Sequence, residues 1–285
     1  MDGAEKVHVD PSGVPRYLTS IVSSSLTWID EQDRETIWES ASLCLSERSG
    51  RTAAPSMTRA FNIDDKIILS LYEPSMTEDS LGLKTWTSSL LLSRRLSLLS
   101  RHVPPHRPRM LELGSGTGLV GIAAAHIWKA RVSEVLLTDL PEIVPNLKVN
   151  IVRNTPPLSG DKCSVCRLDS RVLDWADETD TPTDTDDRIP LIVAADPIYS
   201  AEHPSLFVNT VQRWLARGSF SRFILELPLR DGYSRERTDL RQRLESFMCV
   251  VEEGEEVGYD DWEDADGRPA EVTCWWSVWR LLSDE

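Results

Sequence analysis

The chain has 285 residues, 40% of them hydrophobic, and a formal net charge of −15 at pH 7. This length and apolar content allow one large domain, or one domain with an extension, around a buried core. An acidic chain repels phosphate backbones, which disfavours tight nucleic-acid binding and favours a lysine-bearing basic partner. No apolar run reaches about 18 residues and residues 1–15 lack an apolar signal core, so we expect a cytoplasmic protein without a membrane span.

Strand-like and helix-like segments alternate through most of the chain. Residues 1–60 are predicted as an extension, mostly helical or irregular with a helix at 33–45, and residues 61–285 as one domain. This alternation predicts a parallel sheet with right-handed crossovers, and a closing hairpin adds an antiparallel strand. The predicted strands cover 67–72, 110–113, 135–138, 163–168, 189–195, 222–227, 247–251 and 272–281, and the predicted helices cover 86–99, 119–128, 142–152, 204–216 and 235–248.

Three glycines at alternate positions, Gly114, Gly116 and Gly118, connect a predicted strand to a helix. A strand, a tight glycine turn and a helix N-terminus begin a nucleotide-binding unit, in which bare backbone lies against a cofactor. A dinucleotide fingerprint counted from Gly114 has Leu119 at its third glycine position, and counted from Gly116 it reaches Gly121 with the turn shifted. The chain also lacks the Gly-Lys-Ser/Thr ending of a phosphate-binding Walker loop. An acid precedes the turn, so a cofactor without phosphates to cradle fits best, and S-adenosylmethionine is one.

Acidic residues follow two further predicted strands. Asp139 stands about 20 residues past the glycine turn, where an acid takes the ribose hydroxyls of an adenosine. Its alternative role is an N-cap for the next helix. The apolar run at 191–195 is typical of a strand buried on both faces, and Asp196 and Tyr199 come directly after it. Because ligands of parallel sheets bind beyond the carboxyl ends of the strands, we expect these acids and the glycine turn along one edge.

Four segments at these strand ends resemble methyltransferase family sixteen, the seven-strand protein-lysine N-methyltransferases. The resemblance covers roughly residues 60–285. It implies an α/β, Rossmann-like fold, the seven-stranded class I fold of S-adenosylmethionine-dependent methyltransferases. Residues 72–86 and 88–92 are further similar to the branch of the family that acts on elongation factor 2. The four segments are 111–121, 137–140, 173–175 and 195–199.

The family resemblance also implies roles for nine residues. Asp196 and Tyr199 would form the catalytic D-x-x-Y motif at the channel of the substrate lysine. Trp86 would cover one side of S-adenosyl-L-methionine, Asp139 would hold its ribose, and Trp175 would lie near its adenine. The remaining cofactor residues would be Gly114, Ser115, Gly116 and Ala195.

We therefore expect a monomeric, S-adenosylmethionine-dependent protein-lysine N-methyltransferase whose protein substrate, by resemblance, is elongation factor 2. Two alternatives stay open. One is a methyltransferase acting on a small molecule or RNA, which would favour a closed apolar lid or a basic face. The other is a cofactor-binding interaction protein without turnover, against which the intact D-x-x-Y motif argues.

The cysteines and the acidic stretches complete the sequence-based expectations. Cys163 and Cys166 have zinc-like spacing, but a second such pair is missing, so we predict reduced thiols and no metal site. The acidic stretch 252–266 is predicted to connect the last two strands. It is either a solvated connection or a rim that docks a basic protein substrate.

Overall fold

The computed structural model describes residues 14–48, 56–75, 81–155, 166–263 and 269–282. The chain divides into two compact units, Met1–Pro55 and Ser56–Glu285. The first unit contains helices α1 (Val14–Val22) and α2 (Glu31–Arg48). In the described ranges, no helix is both long and apolar enough to cross a bilayer.

The second unit alternates strands and helices as the sequence predicts. Its strands are β1 (Met57–Asn62), β2 (Ile68–Glu73), β3 (Arg109–Leu113), β4 (Glu134–Asp139), β5 (Arg167–Val172), β6 (Leu191–Ala195), β7 (Arg222–Pro228), β8 (Met248–Glu263) and β9 (Pro269–Leu281). Its helices are α3 (Thr87–Leu99), α4 (Leu119–Ile127), α5 (Val144–Asn154), α6 (His203–Trp214) and α7 (Ser234–Glu245).

Seven of these strands form one sheet in the order β5-β4-β3-β6-β7-β9-β8. The five strands from β5 to β7 are parallel, β9 runs antiparallel to β7, and β8 pairs antiparallel with β9. The predicted fold class, including the antiparallel closing hairpin, is confirmed. Strands β1 and β2 form a separate antiparallel pair. The sequence does not predict β1, because Phe61 is its only buried side chain and leaves no alternating pattern.

The order of the strands reverses at β3, which has β4 on one side and β6 on the other. From β3 the chain crosses outward to β4 and β5, and then returns across the sheet to β6. Ligands of open α/β sheets bind at such a reversal, in the crevice beyond the carboxyl ends of the strands. The topology therefore singles out the turns that follow β3, β4 and β6.

Each face of the sheet carries its own hydrophobic core, because successive strand side chains point to opposite faces. Met110 packs into the core that includes residues of α3 and α4, and Leu111 packs into the core that includes residues of α6 and α7. Helix α4 is apolar along most of its length, with Val120 and Ile122 fully buried. Two-sided burial explains why β3 and β6 are apolar runs in the sequence.

The structure corrects the predicted position of two strands. Strand β5 begins at Arg167, several residues later than predicted, and Cys163 lies outside the described residues. Strand β8 continues through Glu263, so most of the predicted acidic connection is strand rather than loop. Its glutamates are accommodated by cations of the same chain. Glu252 accepts hydrogen bonds from Arg101 and His102, and Glu256 accepts one from Arg95.

Candidate active site

A cavity of about 430 Å³ opens at the carboxyl ends of β3, β4 and β6, at the reversal of strand order. This volume lies in the usual range for sites that bind small molecules. The structure brings all nine sequence-predicted site residues to its wall, although they come from widely separated parts of the chain. These residues are Trp86, Gly114, Ser115, Gly116, Asp139, Trp175, Ala195, Asp196 and Tyr199.

The glycine turn after β3 needs glycine for two reasons. Gly114 and Gly116 have φ angles of 65° and 56°, in the left-handed region that side chains disfavour. A Cβ at Gly114 would lie 3.2 Å from the ring of Trp175, and one at Gly116 would lie 3.0 Å from the carbonyl oxygen of Gly82. The turn therefore presents bare backbone in a narrow space between two other segments of the cavity wall.

Asp139 and Ser115 tie the glycine turn to strand β4. The Asp139 carboxylate accepts hydrogen bonds from the backbone N–H groups of Gly116 (2.7 Å) and Leu140 (2.8 Å). Burial raises the pKa of Asp139 to about 6, partly offset by these two hydrogen bonds. The Ser115 hydroxyl accepts a bond from the Thr138 N–H, so this side chain serves the packing of the turn. Of these two side chains, Asp139 is the one that brings a carboxylate acceptor to a ligand.

Asp196 stands at the end of β6 with an unusual backbone. Its φ angle is 51°, a left-handed conformation that costs energy for a residue with a Cβ. Its side chain is only 7% exposed, and burial raises its pKa to about 6, with Arg230 opposing the shift and Asp260 adding to it. Strained residues of this kind cluster at functional sites. This strained backbone places the Asp196 carboxylate, which is ionised at neutral pH, on the wall of the cavity.

Arg230 and Trp86 complete this side of the cavity. The Arg230 Nη2 atom lies 3.3 Å from Asp196 Oδ2, and the guanidinium carbon lies 5.1 Å from the centre of the Trp86 ring. The sequence analysis misses Arg230. The rule that identified Asp139 and Asp196 also points to Arg230, because it lies two residues after Pro228, the last residue of the parallel strand β7.

An aromatic group forms the opposite wall. The Trp175 ring meets the His203 and Phe207 rings edge-on, and the Tyr199 ring meets His203 with centroids 4.1 Å apart. The Tyr199 backbone N–H donates to His203 Nδ1, which places the imidazole proton of neutral His203 on Nε2. Burial lowers the pKa of His203, so the ring is neutral at neutral pH. The sequence analysis misses His203, four residues beyond Tyr199 at the start of α6.

The charges and shapes on the wall fit S-adenosylmethionine. Four carboxylates and two cations line the cavity, which gives an anionic wall suited to a sulfonium and unsuited to phosphates. Asp139 offers a carboxylate to ribose hydroxyls, and the indole rings of Trp86 and Trp175 line the same cavity as the bare glycine turn. The carboxylates are Asp139, Glu142, Asp174 and Asp196, and the cations are Lys84 and Arg230.

A second buried carboxyl lies behind the wall, on β7. Glu226 pairs in register with Ala195 and is fully buried, and within the described part of the chain neither of its side-chain oxygens has a hydrogen-bond partner. Burial raises its pKa well above the ordinary value, and Glu256 adds to this shift while Arg95 opposes it. Among the described residues, no cluster of three or more His, Cys, Asp or Glu side chains is arranged to hold a metal ion.

Comparison with known proteins identifies the family of this chain. The family model of the lysine methyltransferases matches residues 64–236. Protein-lysine N-methyltransferase EFM2 of Saccharomyces cerevisiae is 36% identical over 86% of this chain and 61% of its own length. Protein-lysine N-methyltransferase rrg1 of Schizosaccharomyces pombe is 34% identical over 93% of this chain and 84% of its own.

A third relative is matched over a smaller part of the chain. EEF1A lysine methyltransferase 3 of Mus musculus is 27% identical over 54% of this chain and 62% of its own length. This chain therefore spans about three fifths of EFM2 and of the mouse protein, and most of rrg1. The family model covers more than half of the chain and includes every sequence-predicted site residue. The chain belongs to the lysine methyltransferase family.

Proposed function

We propose that this protein is an S-adenosylmethionine-dependent protein-lysine N-methyltransferase. Family membership supports the class of reaction. A single observation supports the site. The bare glycine turn, the Asp139 carboxylate and the strained Asp196 all line one cavity. A cofactor held against the turn would present its methyl group towards the part of the wall that contains Asp196.

The residues divide into two groups under this proposal. Asp139 holds the ribose, the backbone of Gly114 and Gly116 contacts the cofactor, and Trp86 and Trp175 enclose it from two sides. Asp196 and Tyr199 orient the substrate lysine at the mouth of the cavity, where Tyr199 is 42% exposed and accessible to a protein surface. The remaining two predicted contacts, at Ser115 and Ala195, are made by small residues on the wall.

The cofactor supplies a methyl group that is already activated by the positive sulfur, so the protein must bind, align and exclude water. The substrate lysine must also lose a proton, because an ammonium has no lone pair for attack. A free lysine has a pKa of about 10.4, so only a small fraction is neutral at pH 7. Burial against the aromatic wall of Trp175 and Tyr199 would lower that pKa.

We propose elongation factor 2 as the substrate, with the enzyme acting as a monomer in the cytoplasm. The support is the similarity of residues 72–86 and 88–92 to the branch acting on this factor, although 76–80 lie outside the described residues. The mouse relative is named for EEF1A, another elongation factor. The net charge of −15 also favours a basic protein surface.

The test uses purified protein, S-adenosylmethionine with a labelled methyl group, and extract of cells that lack this enzyme. Products are divided between protease and ribonuclease treatment. We expect one protease-sensitive labelled band at the size of elongation factor 2, with the label on a lysine by mass spectrometry. Label in RNA or in small molecules would overturn the proposal. Cofactor binding without any transfer would favour an interaction protein.

A further inference from the structure

Arg230 contacts the two residues that the proposed reaction needs on its side of the cavity. Its guanidinium lies beside the Asp196 carboxylate at 3.3 Å and over the ring of Trp86 at 5.1 Å. The side chain is 31% exposed, so part of the guanidinium still faces the cavity that it lines. A cation therefore stands where the substrate amine and the cofactor sulfonium are proposed to meet.

Asp196 alone would oppose the reaction. A buried carboxylate near a lysine stabilises the ammonium form, because opposite charges at short range favour each other's ionised state. The lysine would then arrive as an ion pair with no lone pair to attack the methyl group. A protonated Asp196 would be no better, since it would hand its proton to the more basic amine and form the same ion pair. A carboxylate at this position needs a partner that neutralises it.

We propose that Arg230 is a positioning residue that keeps the substrate lysine neutral. It neutralises Asp196 and places its own positive charge beside the lysine channel. This inference rests on the proposed function. With the carboxylate already paired, the arriving ammonium gains little from Asp196 and is repelled by the guanidinium. A nearby cation is an established means of lowering a lysine pKa. Asp196 keeps a lone pair with which to accept an N–H bond and orient the amine.

The steps of the proposed reaction balance in protons and in charge. The ammonium releases its proton to solvent as the lysine enters the channel, and the neutral amine nitrogen then attacks the methyl carbon. The new N–C bond forms as the S–C bond breaks, the electron pair of that bond stays on sulfur, and the positive charge passes from sulfur to the methylated amine.

Other charged groups surround Arg230 and Asp196 and also influence a pH profile. Asp139, Glu142 and Asp174 on the wall would favour an ammonium, and Lys84 would oppose it. His203 has a lowered pKa and is neutral at neutral pH. Asp260 raises the pKa of Asp196, and burial raises the pKa of Glu226 well above its ordinary value. The Arg230 variants and their Arg241 control leave all of these groups in place, so a change in the pH profile reports on Arg230.

The first test measures kcat against pH, with elongation factor 2 as the methyl acceptor at saturating concentration, because kcat reports the ionisations of the bound complex. In the wild type, activity rises with pH as the bound lysine loses its proton. We expect Arg230→Gln to move this rise upward by roughly one to two pH units, and Arg230→Lys to restore most of its position. Arg241→Gln is the matched control, because Arg241 also lies over a tryptophan, Trp275, and pairs with a carboxylate, Glu253, away from the cavity. A lower rate with an unmoved rise in Arg230→Gln would overturn the proposal.

The second test needs neither substrate nor cofactor. The carboxyl carbon of Asp196 is followed by NMR in protein with 13C-labelled aspartate, and Asp196→Asn assigns the signal. Arg230→Gln should raise the titration midpoint of Asp196 above the wild-type value, and Arg230→Lys should return it. An unchanged midpoint would show that Arg230 does not neutralise Asp196 and would overturn the inference.

The two tests separate failure of this inference from failure of the proposed function. If no lysine of elongation factor 2 accepts a methyl group, the protein labelled in the extract experiment replaces it as acceptor. If no protein is labelled at all, the proposed function is wrong, and with it the role of Arg230 in discharging a lysine. If the wild type methylates a lysine while the Arg230 variants keep its profile, only the inference is wrong.

Discussion

The backbone N–H of Gly116 donates a 2.7 Å hydrogen bond to Oδ2 of Asp139, which joins the glycine turn after β3 to the end of β4. The other carboxylate oxygen accepts from Leu140. An ionised carboxylate has about four acceptor positions, so both oxygens can still accept from a ligand. The N-cap role considered from sequence for Asp139 is wrong, because α5 begins at Val144 with Ile143 as its N-cap. Asp139 instead bonds the backbone of the turns around it, and its geometry leaves room for a ribose.

Asp139→Asn should weaken cofactor binding more than turnover. The substitution removes the charge and one acceptor oxygen, and hydrogen bonds to charged groups contribute about 1.5–3 kcal/mol. We expect the Kd for S-adenosylmethionine to rise roughly 10- to 100-fold by calorimetry, with most of the turnover retained at saturating cofactor. In the wild type, affinity should also decline as pH falls through about 6, where the carboxylate protonates. Asp169→Asn is the matched control, because Asp169 also accepts the backbone N–H of the residue that follows it but does not line the cavity. An unchanged Kd for Asp139→Asn would refute the ribose role.

Asp196 should be needed for turnover but not for stability. Asp196→Ala and Asp196→Gly both remove the carboxylate, and we expect either to lower single-turnover methylation at least 100-fold with little change in the cofactor Kd. Only glycine accepts a φ of 51° without strain, so Asp196→Gly should be more stable than Asp196→Ala by about 1 kcal/mol in urea unfolding. A parallel loss of cofactor affinity would instead make Asp196 a cofactor ligand.

Gly121 should be indispensable for the packing of α4 on β3 and β4. A Cβ at this position would lie 2.4 Å from Glu112 Oε2 and 2.8 Å from Leu137 Cγ, both of which are buried. We expect Gly121→Ala to lower the free energy of unfolding by about 1–3 kcal/mol, the usual cost of overpacking. Gly218→Ala is the matched control, since its Cβ would meet Ser221 Oγ at an ordinary 3.6 Å. Equal stability of the two variants would contradict the packing.

The buried Glu112 should make the protein less stable at alkaline pH. Burial raises its pKa to about 8, opposed by hydrogen bonds that involve Ser115 and the Gly121 N–H. The folded state therefore holds a proton that the unfolded state has lost, and stability falls as pH rises from about 6 through 8. We expect a loss of roughly 2–3 kcal/mol over this range.

The comparison is thermal unfolding of the wild type and Glu112→Gln between pH 6 and 8.5. The glutamine resembles the protonated acid and keeps an acceptor for Gly121, so the slope with pH should flatten. Glu142→Gln, an exposed carboxylate near the same turn, should retain the wild-type slope. If Glu112→Gln keeps that slope as well, the loss of stability has another source.

Local patterns along the chain determined most of the fold. Two-sided burial makes β3 and β6 apolar runs, and glycines mark the turn where backbone must take positive φ angles. The acids Asp139 and Asp196 follow such runs, so the topology of parallel strands places them at one edge. These features depend on neighbours in sequence and on a general rule of sheets, which is why they could be predicted.

Only the tertiary structure decided the partners of charged residues. The pairing of Arg230 with Asp196 arises because β7 lies beside β6. The glutamates of β8 pair with Arg95, Arg101 and His102, which come from α3 and the turn after it. Sequence patterns register whether a residue is apolar or polar, but an ion pair depends on which strand or helix packs next to it. For that physical reason the rule for strand ends can place Asp139, Asp196 and Arg230 at one edge of the sheet, whereas the pairing of Arg230 with Asp196 could not be predicted.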